Sequence, residues 1–409
     1  MYKLFRVILL FFFIFDISFN FLPVSTGKIA TFIFLLLFFS IKGIKYKKKQ
    51  KIYVTIFNIV YGIILIYNTL LFLLNPQSDI TTLSRLIYFG IYCIAMSYVI
   101  PTFFTDLNDF FQTFGYVTTI QGIFVLVSWI SNSYRQFLES IVVNTGNISF
   151  LSERRPPGLM SSAGAGASVI LALGSVLLLY LILNNDFKKN ILNVFCFVVS
   201  FTATFIVGRT GLLLASVLIV FLIFASSLKI KKIGKIILGI PLVLCLILFL
   251  FNILESILPD QFYSKIEWVF GEFSTGLLSG NTAVALSNMT IKPISIETIV
   301  GTSRIRLEGG NHDSGYIQNY HSMGLIFVIL FYLLVIFYCV NLYLDNKSKL
   351  WISQNKTLIM LLCLGMFIVE IKEPFIFYYF YPWLVFSIFK LKDKKSDIKL
   401  EVSPGLDRN

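Results

Sequence analysis

The hydrophobic pattern of this chain consists of apolar runs of about 20 residues, each long enough to cross a hydrocarbon core of roughly 30 Å as an α-helix. Short polar segments separate them. Taken in order, the runs predict about twelve membrane spans. The sequence therefore predicts an all-α polytopic membrane protein, with residues 1–409 forming a single integral membrane domain. The predicted spans lie near residues 7–24, 27–43, 52–75, 85–103, 112–131, 166–184, 190–207, 210–227, 236–254, 322–343, 357–372 and 374–390.

One apolar stretch, residues 190–227, is about twice the usual length. As a single helix it would extend about 57 Å, nearly twice the thickness of the hydrocarbon core. Gly208-Arg209-Thr210-Gly211 lies at its middle and supplies the glycines that a turn needs. We therefore predict a tight helical hairpin with Arg209 at its tip.

The distribution of basic residues predicts the orientation in the membrane. If the N-terminus is cytoplasmic and the spans alternate, 23 of the 34 Lys and Arg residues fall on the inner side, as the positive-inside rule requires. An even number of spans also returns the basic C-terminal tail to the cytoplasm. This topology leaves two larger loops on the periplasmic side, at residues 132–165 and 255–321.

Composition supports the membrane assignment and removes other classes of protein. The chain is 57% hydrophobic and 13% charged, with a mean hydropathy of +0.82, whereas soluble domains carry about 25% charged residues. The net charge of +13 lies mostly in short loops, so it marks topology and predicts no nucleic-acid partner. All five cysteines fall inside predicted spans without a CxxC spacing, which favours packing over disulfides or a metal cluster.

Arginine and lysine are unequally distributed between the predicted inner and outer sides of the membrane. Of the 23 inner cations two are arginine, and of the 11 outer cations seven are arginine. Topology needs only positive charge, whereas the planar guanidinium group suits bidentate binding of phosphate or carboxylate. The outer face is therefore predicted to bind an anion. The seven outer arginines are Arg85, Arg135, Arg154, Arg155, Arg209, Arg304 and Arg306.

The densest polar stretch, residues 304–324, contains both histidines of the chain, His312 and His321, and runs into an apolar helix near Leu325. A plain solvated loop would also be polar, but it has no need of both histidines. Either histidine could act as a general base near neutral pH or orient an attacking hydroxyl group. Asp313 could do the same or orient a histidine.

The absence of three common motifs limits the reactions that this protein could catalyse. The sequence has no HExxH, P-loop or dinucleotide-binding fingerprint, so we expect no metal and no cofactor. Catalysis at the outer membrane–water boundary would then need a substrate that is already activated. Lipid-linked pyrophosphate sugars fit, because arginines can stabilise the pyrophosphate as it departs.

Four features, taken together, resemble the O-antigen polymerase (Wzy-type) family, within the superfamily that it shares with the O-antigen ligases. Arg155-Pro-Pro-Gly158 is similar to the family's R-x-x-G before a span, and Gly208-Arg209-Thr210-Gly211 to its S-R-T-G pattern, with glycine in place of serine. The third feature is the large late outer loop. The fourth is His312-Asp313-Ser314-Gly315-Tyr316, followed by Gly324-Leu325-Ile326 at the start of a span.

The resemblance implies an inverting, metal-independent glycosyltransferase of the bacterial inner membrane whose active site faces the periplasm. It would join undecaprenyl-pyrophosphate-linked oligosaccharide repeat units into polysaccharide, with membrane lipid and a chain-length regulator protein as further partners. His312 lies where the superfamily has its functional histidine, and Asp313 stands where ligases tend to have Asn, which favours a polymerase. The predicted catalytic residues are His312, Asp313 and His321; those for pyrophosphate are Arg155, Arg209, Arg304 and Arg306; those for the acceptor are Tyr316 and Arg154.

Two other functions remain open from the sequence. An O-antigen ligase would transfer the same glycan to lipid A–core, and a flippase would move the lipid-linked unit across the membrane. Transporters place charges inside helices, where this chain offers few. Glu370-Ile-Lys-Glu373-Pro374 is either an acceptor-sugar site or, as we favour, a charged turn in which Lys372 offsets a carboxylate. The aromatic residues 375–383 are interpreted as an interfacial belt and lipid-facing surface.

Overall fold

The computed structural model describes residues 2–42, 51–143, 155–161, 164–184, 191–227, 291–305, 313–347, 350–378 and 380–391. Within these ranges the fold is all α, with one isolated bridge between Phe19 and Val142 and no strand. The all-α part of the predicted fold class is therefore confirmed. The helices are α1 (Tyr2–Phe15), α2 (Thr26–Lys42), α3 (Ile52–Leu74), α4 (Thr81–Phe103), α5 (Leu107–Ile130), α6 (Asn132–Ile141), α7 (Ala165–Asn184), α8 (Ile191–Val207), α9 (Arg209–Ser227), α10 (Ile296–Val300), α11 (Gly315–Met323), α12 (Leu325–Asn346), α13 (Leu350–Val369) and α14 (Phe380–Lys390).

Apolar helices long enough to cross a membrane make this a multi-pass membrane protein. Among the described residues, five helices, namely α3, α4, α5, α7 and α12, have the necessary length and hydropathy. Helices α2, α8, α9 and α13 contain apolar segments of 10–17 residues. The count of twelve spans stays a prediction, and the span predicted at residues 236–254 lies outside the described residues.

Two predicted spans are shorter as helices than the sequence indicated. The first, predicted at 7–24, ends at Phe15 because Asp16 takes a positive φ of 40° and its Oδ1 accepts the Gly27 N–H of α2 at 2.8 Å. The last, predicted at 374–390, is helical from Phe380 onwards, since residues 370–378 form a hydrogen-bonded turn. In both places local hydrogen bonds and turn formation override an apolar composition.

The helices alternate in direction, so the described loops gather at two ends of the bundle. At one end Arg6 pairs with Asp109, and Lys51 before α3 pairs with Asp345 near the end of α12; we call this the basic end. The other end, the polar end, contains residues 16–25, 75–80, 131–143, 155–161, 291–305, 313–324 and 370–378. Backbone hydrogen bonds join these segments, from Asn20 to Ile141, Asp79 to Ser303 and Gly315 to Glu370.

The polar end coincides with the loops that the sequence predicts to be periplasmic. The described parts of the predicted loops 132–165 and 255–321 both lie there. Because successive helices cross the bundle in opposite directions, this grouping agrees with the alternating topology. Which end faces the periplasm stays a prediction.

Helices α8 and α9 form the predicted hairpin on α7. A single non-helical residue, Gly208, separates them. Gly208 lies against Ser168 in the first turn of α7, and the Ser168 hydroxyl accepts the Gly211 N–H at 3.1 Å. Both helices pack along α7, which is only about 30 Å long. Because both helices extend from one end of α7 and pack along it, the chain reverses direction at Gly208, with Arg209 at the tip.

Helix α14 lies in the centre of the bundle. Every residue from 380 to 389 is buried, as expected for a helix that other helices surround. Phe375, Tyr381 and Trp383 are fully buried, so the interpretation of residues 375–383 as an interfacial, lipid-facing surface is wrong. Apolar side chains suit both the lipid and a protein core, and composition alone does not distinguish them.

Candidate functional site

The Arg155-Pro-Pro-Gly158 segment is fixed at the polar end by Gln121, a fully buried residue of α5. Gln121 Nε2 donates to the Pro157 carbonyl at 2.7 Å, and its Oε1 accepts the Leu159 N–H at 3.4 Å. Gly158 has a φ of +63°, and a Cβ there would lie 2.7 Å from Gln121 Nε2. The glycine is therefore needed both for its backbone conformation and for its close contact with the amide. The loop that begins with Arg155 thus has a defined shape.

The structure brings Arg155 and Arg209 together. Met160, at the end of the Arg155 loop, packs in one apolar cluster with Ile206 and Val207, directly before the hairpin tip. Burial, and then the like charge of Arg209, lower the pKa of the Arg155 guanidinium. Two partly buried cations within electrostatic range repel each other, and an anion bound beside both would offset that repulsion. Two of the four residues predicted to bind pyrophosphate therefore lie close together.

Glu370 lies at the same level of the bundle as this pair. Leu214, five residues after Arg209, packs against Gly365, five residues before Glu370. Helices α9 and α13 run in opposite directions, so equal distances from this contact place Arg209 and Glu370 at the same height. Helices in contact have axes roughly 8–10 Å apart. The two charged groups thus flank one region of the polar end.

Glu370 has no exposed surface and receives three hydrogen bonds. Its Oε1 accepts from Asn319 Nδ2 at 3.1 Å and from the Tyr332 hydroxyl at 2.8 Å, while its Oε2 accepts the Ile376 N–H at 2.8 Å. Burial raises the pKa of Glu370 to about 7, although these donors and Arg85 favour the charged form. A carboxyl group in this setting changes its charge near neutral pH.

The predicted charged turn after α13 is present, and its lysine pairs with a residue of the histidine-containing segment. Lys372 Nζ lies 2.5 Å from Asp313 Oδ2, and both side chains are 47% exposed. Glu373 accepts a hydrogen bond from the Tyr378 hydroxyl at 3.3 Å, and burial raises its pKa. The turn is thus the neighbour of Asp313, one residue from the predicted base His312.

Arg85, which the sequence placed only in the general set of outer arginines, contacts the segment that contains Asp313. Its Nη2 donates to Gln318 Oε1 at 3.1 Å, and Gln318 Nε2 donates to the Asp313 carbonyl at 3.1 Å. Its buried Nη1 has no hydrogen-bond partner among the described residues. The positive charge of Arg85 also acts on Glu370. No pattern in the sequence links residue 85 to residues 313–318, so only the fold shows this contact.

The other predicted residues that the structure describes form hydrogen bonds with neighbouring segments. His321 is 2% exposed, and its Nε2 accepts the Lys292 N–H at 3.2 Å. The Tyr316 hydroxyl donates to the Phe367 carbonyl at 2.8 Å, which joins α11 to α13. Arg304 Nε donates to the Gln77 carbonyl at 2.6 Å. These contacts place the three side chains at the polar end, and their predicted roles in catalysis and binding stay predictions.

Three predicted residues, Arg154, Arg306 and His312, lie outside the described residues. Among those that the structure does describe, no group of three or more His, Cys, Asp and Glu side chains could hold a metal ion. The geometry thus defines two neighbouring features: the Arg155–Arg209 pair, and the polar cluster of Arg85, Asp313, Gln318, Glu370 and Lys372.

Comparisons with known proteins do not assign a function to this chain. No protein-family model, curated protein or solved structure matches this chain. The assignment of a function therefore depends on the short motifs, their order along the chain and the contacts described above.

Proposed function

We propose that this protein is an O-antigen polymerase, which joins undecaprenyl-pyrophosphate-linked oligosaccharide repeat units into polysaccharide at the periplasmic face of the bacterial inner membrane. The observation that supports the proposal best is the pairing of Arg155 with Arg209. These residues belong to the two short motifs that resemble the family, and they come from separate segments of the chain.

The pair suits the proposed donor substrate. An undecaprenyl tail would remain in the bilayer, and its pyrophosphate would lie at the membrane boundary beside Arg155 and Arg209. As the acceptor hydroxyl attacks the anomeric carbon, the bond to the pyrophosphate breaks and negative charge builds up on the departing group. Guanidinium groups placed there in advance stabilise that charge. The proposed reaction inverts the anomeric configuration and needs no metal ion.

The acceptor side of the reaction is assigned to the segment that contains His312 and Asp313. His312, or Asp313 acting with it, would take the proton of the attacking hydroxyl. Asp313 lies beside Lys372 and Gln318 at the polar end, the same end as the arginine pair. A donor site and an acceptor site at one end of the bundle are what glycosyl transfer requires.

The test is complementation of a strain that lacks this gene, followed by electrophoresis of its surface lipopolysaccharide. We expect wild type to restore a ladder of polymer, and Arg155→Ala and Arg209→Ala to leave single repeat units on the lipid A–core while the protein stays at wild-type abundance. Lys28→Ala is the matched control, because it removes an exposed cation of α2 at the same end of the bundle and should preserve the ladder.

The same gel separates the other functions. Polymer that accumulates on undecaprenyl pyrophosphate in the deletion strain would identify an O-antigen ligase. Single lipid-linked units retained on the cytoplasmic face would identify a flippase. An unchanged ladder in the deletion strain would contradict all three functions.

A further inference from the structure

The segment from Ile291 to Gly301, which includes α10, belongs to a loop that the sequence predicts to be periplasmic. Its large apolar side chains make little contact with the described protein. Ile291, Ile294 and Ile296 are 61%, 72% and 82% exposed. An apolar surface of this kind marks a place of contact with lipid or with another protein.

Contacts between α3 and α12 measure how deep this segment lies in the membrane. At the basic end, Lys51 Nζ lies 2.8 Å from Asp345 Oδ2. Towards the polar end, the rings of Tyr67 and Phe327 stack with their centroids 3.5 Å apart. Tyr67 follows Lys51 by 16 residues, which is about 24 Å of helix. Phe327 precedes Asp345 by 18 residues, or about 27 Å, so the two helices run side by side and give nearly the same height.

This height lies inside the hydrocarbon core. Charged groups are costly in hydrocarbon, so Lys51 and Asp345 lie at or beyond its edge. The core is roughly 30 Å thick, so Tyr67 lies about 6 Å or more below the opposite edge. A tilt of the helices would place Tyr67 further from that edge. Helical side chains lean towards the N-terminus of their helix, which for α3 is the basic end, and this keeps the Tyr67 hydroxyl at membrane depth.

The end of α10 is attached at this depth. The Tyr67 hydroxyl donates to the Val300 carbonyl. Gly301 has a φ of +94°, and a Cβ there would lie 2.5 Å from the nitrogen of Gly324, the residue directly before α12. The close approach requires glycine. Residues 300 and 301 therefore lie against the start of a membrane-spanning helix.

The segment lies at the polar end of a surface that faces lipid. On α3 and α12, exposed apolar side chains recur every three or four residues, which is the spacing of one helix face. Both helices are long and apolar enough to cross a membrane, so this face contacts acyl chains. Helix α10 packs on α12 at the end of this face. The exposed side chains of the face are Ile63, Ile66, Leu70 and Leu73 of α3 and Ile326, Ile329 and Leu333 of α12.

The backbone and charges of the segment also suit a membrane boundary, where backbone polar groups need partners within the protein. The Thr298 N–H donates to Ser295 Oγ at 3.3 Å, and the Ser295 N–H donates to Thr298 Oγ1 at 2.8 Å. The Lys292 N–H donates to His321 Nε2 at 3.2 Å. Lys292 Nζ lies 3.9 Å from Glu297 Oε2, and such long side chains can extend from the boundary to the headgroups.

We propose that residues 291–301 form an interfacial anchor, whose isoleucines enter the acyl chains of the leaflet at the polar end and whose Lys292 and Glu297 lie among its headgroups. The depth of Tyr67 and the adjoining lipid-facing surface identify the bilayer as the partner. The loop that the sequence predicts to be periplasmic thus returns to the membrane before α11 begins.

The anchor connects the bilayer to α11. The Thr302 N–H donates to the His321 carbonyl at 3.0 Å, and the Ser303 N–H donates to the Ser322 carbonyl at 2.9 Å. Asp313 lies two residues before this helix. The consequence for transfer rests on the proposed function: the anchor keeps α11 at the boundary where the pyrophosphate of a lipid-linked donor would lie. The contact with lipid is a property of the fold and is measured separately.

The first experiment measures the depth of single labelled residues in the full chain. All five cysteines are replaced by alanine, and Ile294→Cys or Ile296→Cys is labelled with bimane and reconstituted into phosphatidylcholine vesicles. Brominated phosphatidylcholine reports contact with acyl chains, and iodide on both sides reports contact with water. Leu333→Cys, which is 57% exposed near the middle of α12, is the lipid reference. Gln77→Cys, an exposed residue beyond the end of α3, is the water reference.

We expect the labels at 294 and 296 to behave like Leu333→Cys. Brominated lipid should quench them severalfold more than it quenches Gln77→Cys, and iodide severalfold less. Quenching by iodide as strong as at Gln77→Cys would show that the segment lies in water and would overturn the proposal. If neither quencher reaches the labels, protein covers the segment, and the proposal is overturned as well.

A second experiment connects the anchor to activity. Ile296→Asp brings a charge to the proposed lipid boundary, whereas Ile296→Leu is the matched control that keeps an apolar side chain of similar size. In the chain labelled at Ile294→Cys, Ile296→Asp should lower quenching by brominated lipid severalfold, and Ile296→Leu should leave it unchanged. In membrane vesicles supplied with lipid-linked repeat units, Ile296→Asp should lower the polymerisation rate per protein severalfold, and Ile296→Leu should preserve it.

The two readouts separate failure of the anchor from failure of the proposed function. If wild type makes no polymer, the proposed function fails, and lipid quenching alone decides whether the anchor exists. If the labels lie in lipid but Ile296→Asp retains the wild-type rate, the anchor is confirmed and its role in transfer is overturned.

Discussion

The two ends of this bundle use arginine in opposite ways. At the basic end, Arg6 forms a bidentate pair with Asp109, with Nη1–Oδ2 at 2.8 Å and Nη2–Oδ1 at 2.5 Å, and it also donates to the Phe103 carbonyl. At the polar end, Arg155 has Arg209 as a neighbour, and burial, followed by that like charge, lowers the pKa of Arg155. The same side chain is neutralised by a carboxylate in one place and set beside another cation in the other.

We interpret this difference as a structural role for Arg6 and, in line with the proposed function, a binding role for Arg155 and Arg209. Arg6 connects α1 to the ends of α4 and α5, and a cation that a carboxylate already neutralises has little affinity for a further anion. Two neighbouring guanidinium groups repel each other, and an anion bound beside both would offset that repulsion. The comparison therefore predicts which arginine substitutions reduce folding and which reduce activity.

The largest expected effect is on stability, from Arg6→Ala. It would leave Asp109 partly buried without its cation, which typically costs about 3–5 kcal/mol. We expect most of the protein to be lost from the membrane, as measured by immunoblot of purified membranes. The double variant Arg6→Met, Asp109→Leu should recover abundance, because replacing both partners by apolar groups can be neutral. If Arg6→Ala accumulates normally, the structural role of this pair is wrong.

The next effect is on activity, from the Arg155–Arg209 pair. Each single alanine variant should lower polymerisation about 10²- to 10³-fold, the usual loss when one donor to a developing charge is removed. Because both groups act on one anion, the double variant should lose little more than either single variant. Lysine at either position keeps the charge but loses the planar fork, so partial activity is expected.

Polymerisation rates in membrane vesicles, corrected for protein abundance, measure whether the effects of the Arg155 and Arg209 substitutions depend on each other. Losses that multiply in the double variant would show that the two arginines act at separate sites, and the comparison between the two ends would then need another explanation.

Much of the fold could be predicted from the sequence because apolar length reports helix length directly. The spans predicted at 52–75, 166–184 and 210–227 correspond to helices Ile52–Leu74, Ala165–Asn184 and Arg209–Ser227. The predicted ends of the spans are less accurate where a polar contact ends a helix inside an apolar run, as at Asp16 and at Glu370. The prediction was wrong for the surroundings of residues 375–383, since lipid and protein core favour the same side chains.

The candidate site could be predicted only in part, for a related reason. Residue type identified Arg155 and Arg209, because arginine is unusual in a chain so rich in lysine. The roles of Arg85, Gln121 and Glu370 depend on contacts between segments that are far apart in the sequence. One signal was available for Gln121: a glutamine within an apolar span needs a hydrogen-bond partner, although the sequence does not show which one.

A smaller effect is expected from Gln121→Leu, which has nearly the same volume. It removes both hydrogen bonds to the Arg155 loop and leaves a buried carbonyl and N–H without their partners, at a cost of about 1–3 kcal/mol each. We expect the loop to become mobile and polymerisation to fall, by less than in Arg155→Ala. Cleavage near residue 155 by an added protease should increase. An unchanged rate together with unchanged cleavage would show that Gln121 does not fix Arg155.

The smallest effect on stability should come from Lys372→Ala. Its ion pair with Asp313 is as short as that of Arg6 with Asp109, but both side chains are 47% exposed, and exposed pairs contribute about 0–1 kcal/mol. Abundance in the membrane should therefore stay close to wild type, in contrast to Arg6→Ala. The rate should still change, because Asp313, a predicted catalytic residue, loses the cation that holds its carboxylate. A loss of abundance comparable to that of Arg6→Ala would show that the difference in burial does not determine how much each ion pair contributes to stability.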